Sequence, residues 1–208
     1  MKLEAISIFP MWENIYVYYD ETSLEACVID PGFGFDKLKV FLTYNKLTVK
    51  AIFLTHGHFD HIFCADELRK LTGASIYAHE AETEILESAS NNGSSRFGNN
   101  PFTLSANKFF KDGDVLEAAG CSLRVIHTPG HTLGSCCLYD EKSSVLFTGD
   151  TLFNRGVGRA DFYSGDEREL LSSIKTKLFT LPGETVVYPG HNESTTILQE
   201  AAENPYVS

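Results

Sequence analysis

The segment Thr55-His56-Gly57-His58-Phe59-Asp60-His61 sets three imidazoles and one carboxylate within the six residues 56–61. Neutral imidazole nitrogen and carboxylate oxygen are both ligands for zinc, and imidazole also suits iron. The segment directly follows the apolar run Ala51-Ile52-Phe53-Leu54, which reads as a strand buried on both faces. A strand end is a rigid place from which to project ligands. In extended backbone His56 and His58 point the same way, because side chains alternate with period two. Asp60 and His61 follow once the chain turns into a helix, so they can face a second point a few ångströms away. A lone histidine is usually a surface or core residue. Such a cluster at the mouth of a buried strand, left without partners, would place polar groups beside a core at real cost.

Three more residues share this character. His131 lies in Thr128-Pro129-Gly130-His131-Thr132, Asp150 in Thr148-Gly149-Asp150-Thr151, and His191 in Tyr188-Pro189-Gly190-His191. Each follows a strand-like run, and each is preceded by a glycine, which lets the backbone turn sharply and bring the next side chain close to an ion. The seven residues fill two metal sites and leave positions open for water. The other two histidines read differently. His127 is separated from His131 by Pro129-Gly130 and is expected to be structural, or a hydrogen-bond donor behind the ligands. His79 opens a helix-like pattern among Glu80, Glu82 and Glu84 and is expected at the surface.

The elements that must position these residues follow from the apolar pattern. Strands are predicted over 3–9, 14–19, 24–30 and 49–54, with a helix over 36–45 that puts Leu38, Phe41 and Leu42 on one face. A helix over 60–71 ending near Gly73, a strand over 74–78 and a helix over 79–88 come next. Residues 88–100 (SASNNGSSRFGNN) read as a surface loop. Strands resume over 115–119, 122–127, 135–139 and 144–148. A helix over 166–178 opens on a capping box of Ser164 with Glu167. A strand over 185–188 and a helix over 195–203 close the chain. The order suits two packed sheets with helices outside, an αββα sandwich forming a single domain over 1–208. Strand–helix–strand recurs in both halves without any residue-level repeat.

Composition is globular, with 43% hydrophobic and 22% charged residues. The net charge of −11 argues against nucleic acid or an anionic membrane as partner. No apolar run reaches the ~18 residues of a membrane span, and the N-terminus, with an early Glu4, does not read as a secretory signal. Cys27, Cys64, Cys121, Cys136 and Cys137 sit in apolar runs, as reduced thiols of a cytoplasmic protein do.

The pattern His56-x-His58-x-Asp60-His61, followed in order by Gly130-His131, Gly149-Asp150 and Gly190-His191, resembles the metallo-β-lactamase superfamily from about Asn14 to Pro205. Within it TPGHT, FTGDTLF, GVGRADF and YPGH are most similar to the glyoxalase II group, the hydroxyacylglutathione hydrolases. The resemblance implies the αββα fold. It implies a first metal on His56, His58 and His131, a second on Asp60, His61 and His191, and Asp150 bridging both. Two divalent ions are expected, zinc foremost, with iron or manganese as alternatives. Asp60 would also be catalytic, orienting the attacking hydroxide. In the loop 154–165, Arg159 and Tyr163 are the substrate-binding candidates, the other reading of Arg159 being an ion pair with Asp161 or Asp166.

The expected reaction is hydrolysis of a small-molecule thioester such as S-lactoylglutathione, by a monomer or small homo-oligomer. A thiol of pKa about 8.5 leaves with little acid help. Full-length glyoxalase II carries a helical C-terminal extension with glutathione contacts, whereas this sequence stops at Ser208 and looks like the short glyoxalase II-like hydrolases. β-Lactamase activity is less expected, because Asp150 stands where many of those enzymes carry Cys. The acidic charge disfavours the nuclease branch. One rival is a mono-iron persulfide dioxygenase using His56, His131 and Asp150 as a facial triad. A non-enzymatic metal-dependent sensor is a further reading, without support in the sequence.

Overall fold

In the computed structural model, which describes residues 1–97 and 100–207, the apolar alternation builds two six-stranded sheets packed face to face. The first half of the chain supplies β1 (Lys2–Ile8), β2 (Glu13–Tyr19), β3 (Glu25–Ile29), α1 (Phe35–Tyr44), β4 (Thr48–Phe53), α2 (Phe59–Ile62), α3 (Ala65–Thr72), β5 (Ser75–His79), α4 (Thr83–Leu86), α5 (Ser94–Phe97) and β6 (Lys108–Phe110). Its strands lie in the order β1-β2-β3-β4-β5-β6, antiparallel up to β3 and parallel from there on. The second half supplies β7 (Val115–Ala118), β8 (Cys121–His127), β9 (Cys136–Asp140), β10 (Val145–Gly149), the small hairpin β11 (Leu152–Phe153) and β12 (Gly156–Val157), α6 (Glu167–Ser173), β13 (Val186–Pro189), β14 (Thr195–Thr196) and α7 (Ile197–Glu203). Here the order is β14-β13-β10-β9-β8-β7, with only β10 and β13 parallel. The repeated strand–helix–strand pattern corresponds to parallel crossovers in both halves, β3-α1-β4 and β4-α3-β5 in the first and β10-α6-β13 in the second.

Period-two alternation explains why both faces of the sheets are buried. In β2, Ile15, Val17 and Tyr19 turn toward Leu38 and Leu42 of α1 and Leu68 of α3. Tyr16 and Tyr18 turn the other way and pack, with Phe53, against Leu123, Val125, Leu138 and Phe147 of the second sheet. The Tyr16 and Phe147 rings lie 5.3 Å apart. On the far side Ile126, Tyr139 and Leu146 meet Leu170, Ile174 and Ile197. Each fully buried aliphatic or aromatic side chain contributes roughly 1.5–3 kcal/mol, so these three apolar layers fix the relative position of the strand ends. All five cysteines are buried free thiols, Cys27, Cys121, Cys136 and Cys137 within these layers. Among the described residues no helix is long and apolar enough to cross a membrane.

Four sequence expectations are corrected. The helix predicted over 60–71 is two helices, because Cys64 N–H donates to Pro31 O at 2.9 Å. A Cβ on Gly32 would lie 1.7 Å from Asp60 O, so the Pro31-Gly32 turn packs directly on the end of α2. The predicted helix over 79–88 is a 3-10 turn at Glu80–Glu82 followed by α4. The proposed capping box is absent: Asp166 caps α6 by accepting from Arg168 N and Glu169 N, while Ser164 Oγ accepts from Leu133 N. That helix passes into a π-helical turn, Ile174–Leu178. The stretch 88–100 is more than a surface loop, since it contains α5 and the fully buried Asn92. Its residues 98–99, like Ser208 of the expected domain, lie outside the described residues. Strand β6, unread in the sequence, completes the first sheet.

Candidate metal centre

The strand ends bring all seven metal-ligand candidates together. His56 and His58 leave β4, Asp60 and His61 lie on α2, His131 follows β8, Asp150 follows β10, and His191 follows β13. Two sets of three can each close on one ion: His56, His58 and His131, and Asp60, His61 and His191, with the donor atoms of each set within 4.8 Å of one another. Asp150 reaches both sets. Its Oδ1 is 3.3 Å from His61 Nε2, and its Oδ2 lies 3.6 Å from His131 Nε2 and 3.7 Å from His191 Nε2.

The outward ring nitrogens show which atoms are left to bind. His131 Nδ1 is 2.6 Å from Arg159 O, His191 Nδ1 3.0 Å from Met11 O, and His61 Nδ1 3.1 Å from Asp30 Oδ2. Carbonyl and carboxylate oxygens only accept, so each Nδ1 carries a proton and each Nε2 faces inward. Thr55 Oγ1 donates to Asp30 Oδ2 at 2.6 Å, which leaves it to accept from His56 Nδ1 at 3.1 Å. The inward His56 Nε2, together with His58 Nε2 and Asp150 Oδ1, is buried without a hydrogen-bond partner. Buried polar atoms are normally paired. Orphaned acceptors among oriented imidazoles and carboxylates fit a divalent cation.

Electrostatics separate the two sets. Burial, reinforced by neighbouring imidazoles, holds His56 below its ordinary range and His58 down at about 3, and burial likewise lowers His131. These three are neutral, the ligand form. Burial opposes charge on His61 and His191 too, but Asp150 and Asp60 outweigh it and raise both. Burial would raise Asp60 and Asp150, yet His61 first, then His191, holds both below the usual carboxylate range. The second set therefore carries protons that a dication would displace.

Asp30 was not recognised as a site residue. It lies close enough to His56 and His61 to complete a third donor group. Its oxygens are already engaged, Oδ1 by Thr55 N at 2.8 Å and Oδ2 by Thr55 Oγ1 and His61 Nδ1. Asp30 therefore orients two histidines. The available signal was an acid ending one buried strand beside the strand that carries the cluster. The glycines before the ligands act for different reasons. Gly130 has φ 130°, and a Cβ there would lie 2.1 Å from Leu170 N. Gly190 needs no unusual backbone, but a Cβ would lie 2.4 Å from Asp150 Oδ1 and 2.6 Å from His61 Cε1.

A cavity of about 490 Å³ opens onto the donors, bordered by Met11, Phe59, Phe153 and Phe162 and by the polar wall Ser90–Gly93 with Arg96. Arg159 and Tyr163 both border it. Arg159 is paired with Asp161 at 2.6 and 2.8 Å and lies 4.3 Å above the Phe162 ring, so the ion-pair alternative is present at the cavity edge. Tyr163 Oη donates to Glu84 at 3.0 Å. His79 is buried, contrary to the surface placement. Its ring stacks on His127 at 4.2 Å and 9°, and its Nδ1 accepts from Ala81 N. His127 Nε2 donates to Leu133 O at 2.9 Å, behind the His131 loop.

A four-layer sandwich whose strand ends converge on two histidine-rich donor sets, with one aspartate reaching both, defines a class of metal-binding protein. The chain belongs to the metallo-beta-lactamase superfamily, which it matches over residues 12–191. It is similar to hydroxyacylglutathione hydrolase GloC of Haemophilus influenzae, 34% identical over 100% of this chain and 99% of the relative. Among solved structures it resembles BLEG-1 B3 metallo-beta-lactamase (39% identity, TM-score 0.94, all of both chains). It also resembles TTHA1623 in a di-iron-bound form (32%, 0.86, 98% of this chain and 99% of that one). A third is ETHE1 from Myxococcus xanthus (31%, 0.83, 99% of this chain and 84% of that one).

Proposed function

We propose that this protein is a binuclear metal hydrolase of small thioesters, of the S-lactoylglutathione type, working in the cytoplasm. The carrying observation is the pair of donor sets reached by one carboxylate: Asp150 contacts His131 of one and His61 and His191 of the other. His56, His58 and His131 would hold one ion, Asp60, His61 and His191 the second, and Asp150 both. Zinc is the proposed metal, although the TTHA1623 structure is of a di-iron form. When bound, such a pair supplies hydroxide at neutral pH and polarises an acyl carbonyl. Asp60, buried, held below the usual carboxylate range and at the cavity, would accept a hydrogen bond from the attacking hydroxide and orient it. The apolar side chains of Met11, Phe153 and Phe162 border the space for an acyl group, while Arg159 and Tyr163 lie at the edge where a polar thiol portion would extend. The volume falls within the roughly 300–1,000 Å³ typical of small-molecule sites. The name of the Haemophilus relative agrees with this substrate class. Five buried free thiols support the compartment.

The dioxygenase alternative would use His56, His131 and Asp150 and leave His58, Asp60, His61 and His191 without a task. One set of assays separates these readings. Protein grown with ample zinc and iron is expected to contain two metal ions per chain. It should release free thiol from S-lactoylglutathione and take up no oxygen when given glutathione persulfide. One iron per chain, oxygen uptake and no thiol release would replace the hydrolase by the dioxygenase. A higher kcat/KM for a β-lactam than for any thioester would move the substrate assignment toward that of BLEG-1.

A further inference from the structure

Glu82 lies in the 3-10 turn after β5, is 1% exposed, and belongs to neither donor set. Its carboxylate is nevertheless bound on both sides. Oε2 accepts from Gly57 N at 2.7 Å. Oε1 accepts from Gly134 N and from Thr132 Oγ1, each at 2.7 Å. Gly57 is the residue between His56 and His58, on a loop of the first sheet. Thr132 directly follows His131, on a loop of the second sheet. The bonds of one side chain therefore span the two loops that contribute the first donor set. The fit is close: a Cβ on Gly57 would approach Glu82 Oε2 to 2.9 Å, and a Cβ on Gly134 would approach Glu82 N and Oε1 to 2.8 Å. The same turn begins at His79, whose ring stacks on His127 of the second sheet. Hydrogen bonds to a carboxylate are roughly twice as strong as neutral ones, and an unmatched donor left in a buried site costs more than the bond contributed.

We propose that Glu82 is a positioning residue for the first donor set: it fixes the spacing between His56 and His58 on one sheet and His131 on the other. It thereby sets the affinity for the ion they hold, without touching ion or substrate. The assignment rests on the two-site reading above. Groups that orient metal ligands typically contribute about 10- to 100-fold in metal affinity. Glu82→Gln keeps the size of the side chain but turns an amide N–H₂ toward one set of N–H or O–H donors, so one half of the bridge is lost.

Zinc titration against a chromophoric chelator resolves the binding steps of wild type, Glu82→Gln, Thr132→Val and Glu200→Gln. Glu200 is a matched control. It lies on α7, is 0% exposed and accepts from Thr195 Oγ1, Arg155 N and Asn204 Nδ2, none of them on the loops of Gly57 and Thr132. The expected result is one zinc step weakened about 10- to 100-fold in Glu82→Gln, the other step unchanged, and both steps as in wild type for Glu200→Gln. Two wild-type steps in Glu82→Gln, or equal weakening in both glutamate variants, would overturn the proposal. If Glu82→Gln does not fold, Thr132→Val decides, with a smaller loss on the same step expected and an unchanged titration overturning it. Should wild type itself take up a single ion, the two-site reading fails. The Glu82 assignment then stands or falls on whether Glu82→Gln weakens that one step.

Discussion

Gly190→Ala adds one methyl group at a position whose backbone alanine can adopt, so its effect is steric. The added Cβ would approach Asp150 Oδ1 to 2.4 Å, about 1 Å short of the 3.4 Å at which ordinary contact begins, and His61 Cε1 to 2.6 Å. One or both of these candidate ligands must move by most of that distance. Metal sites tolerate about 0.2 Å in ligand distance, and a misplacement of reacting groups by about 1 Å can cost roughly 100-fold in rate. Inserting a methyl into a packed region also destabilises by roughly 1–3 kcal/mol, or about 2–4 °C of Tm per kcal/mol in a chain of this size. The expected variant is folded, with Tm lowered by several degrees, metal content below wild type and kcat/KM for a thioester lowered about 100-fold. Gly156→Ala is the comparison, because its Cβ would meet nothing closer than Phe153 Cβ at 3.6 Å. It should retain wild-type metal and rate. Elemental analysis, thermal melts and thiol release measure all three quantities. A Gly190→Ala protein with two ions and wild-type kcat/KM would refute the placement of Asp150 and His61 around a shared centre.

Asp150→Ala should remove both ions and abolish activity. His127→Ala should keep both, losing only about 1 kcal/mol of ring packing against His79. Retention of two ions by the first, or loss of metal by the second, contradicts the ligand assignment. A pH prediction concerns His79, whose pKa burial and then His127 hold at about 4, below the ordinary 6.5. Between those values the unfolded chain binds a proton that the native state refuses. Wild type should therefore lose stability as pH falls from 6.5 to 4, relative to His79→Phe, which keeps a ring against His127 but cannot titrate. A denaturant-melt difference between the two proteins that stays constant from pH 7 to 4 would show that His79 is not held neutral.

The donors were legible because they sit where apolar strands stop, and polar residues in such a place demand a reason. His56, His58 and their neighbours announce themselves by type and spacing. Asp30 has the same setting, ending β3 beside β4, but a single acid before Pro31-Gly32 reads as turn chemistry. Glu82 was hidden by its company: Glu80, Glu82 and Glu84 alternate in a polar stretch, and nothing in the order of residues tells which one turns inward. His79 was misplaced by the same stretch. The break between α2 and α3 has no signal in the sequence, because the helical apolar period runs on through Phe63 and Cys64. What interrupts it is a tertiary bond to Pro31, distant in sequence. The alternation that places both sheets survives, since it depends on burial alone.

Each donor set draws two residues from the first half of the chain and one from the second: His56 and His58 with His131, Asp60 and His61 with His191. During synthesis the first sheet can form while the segments carrying His131, Asp150 and His191 are still unmade. At that stage the growing chain offers two residues of each set, with Asp30 beside His56 and His61. The centre can be assembled only after the second sheet has docked on Tyr16 and Phe53. Both donor sets are thus completed only by contact between the two halves of the chain, so loosening the packing between the sheets would open both at once.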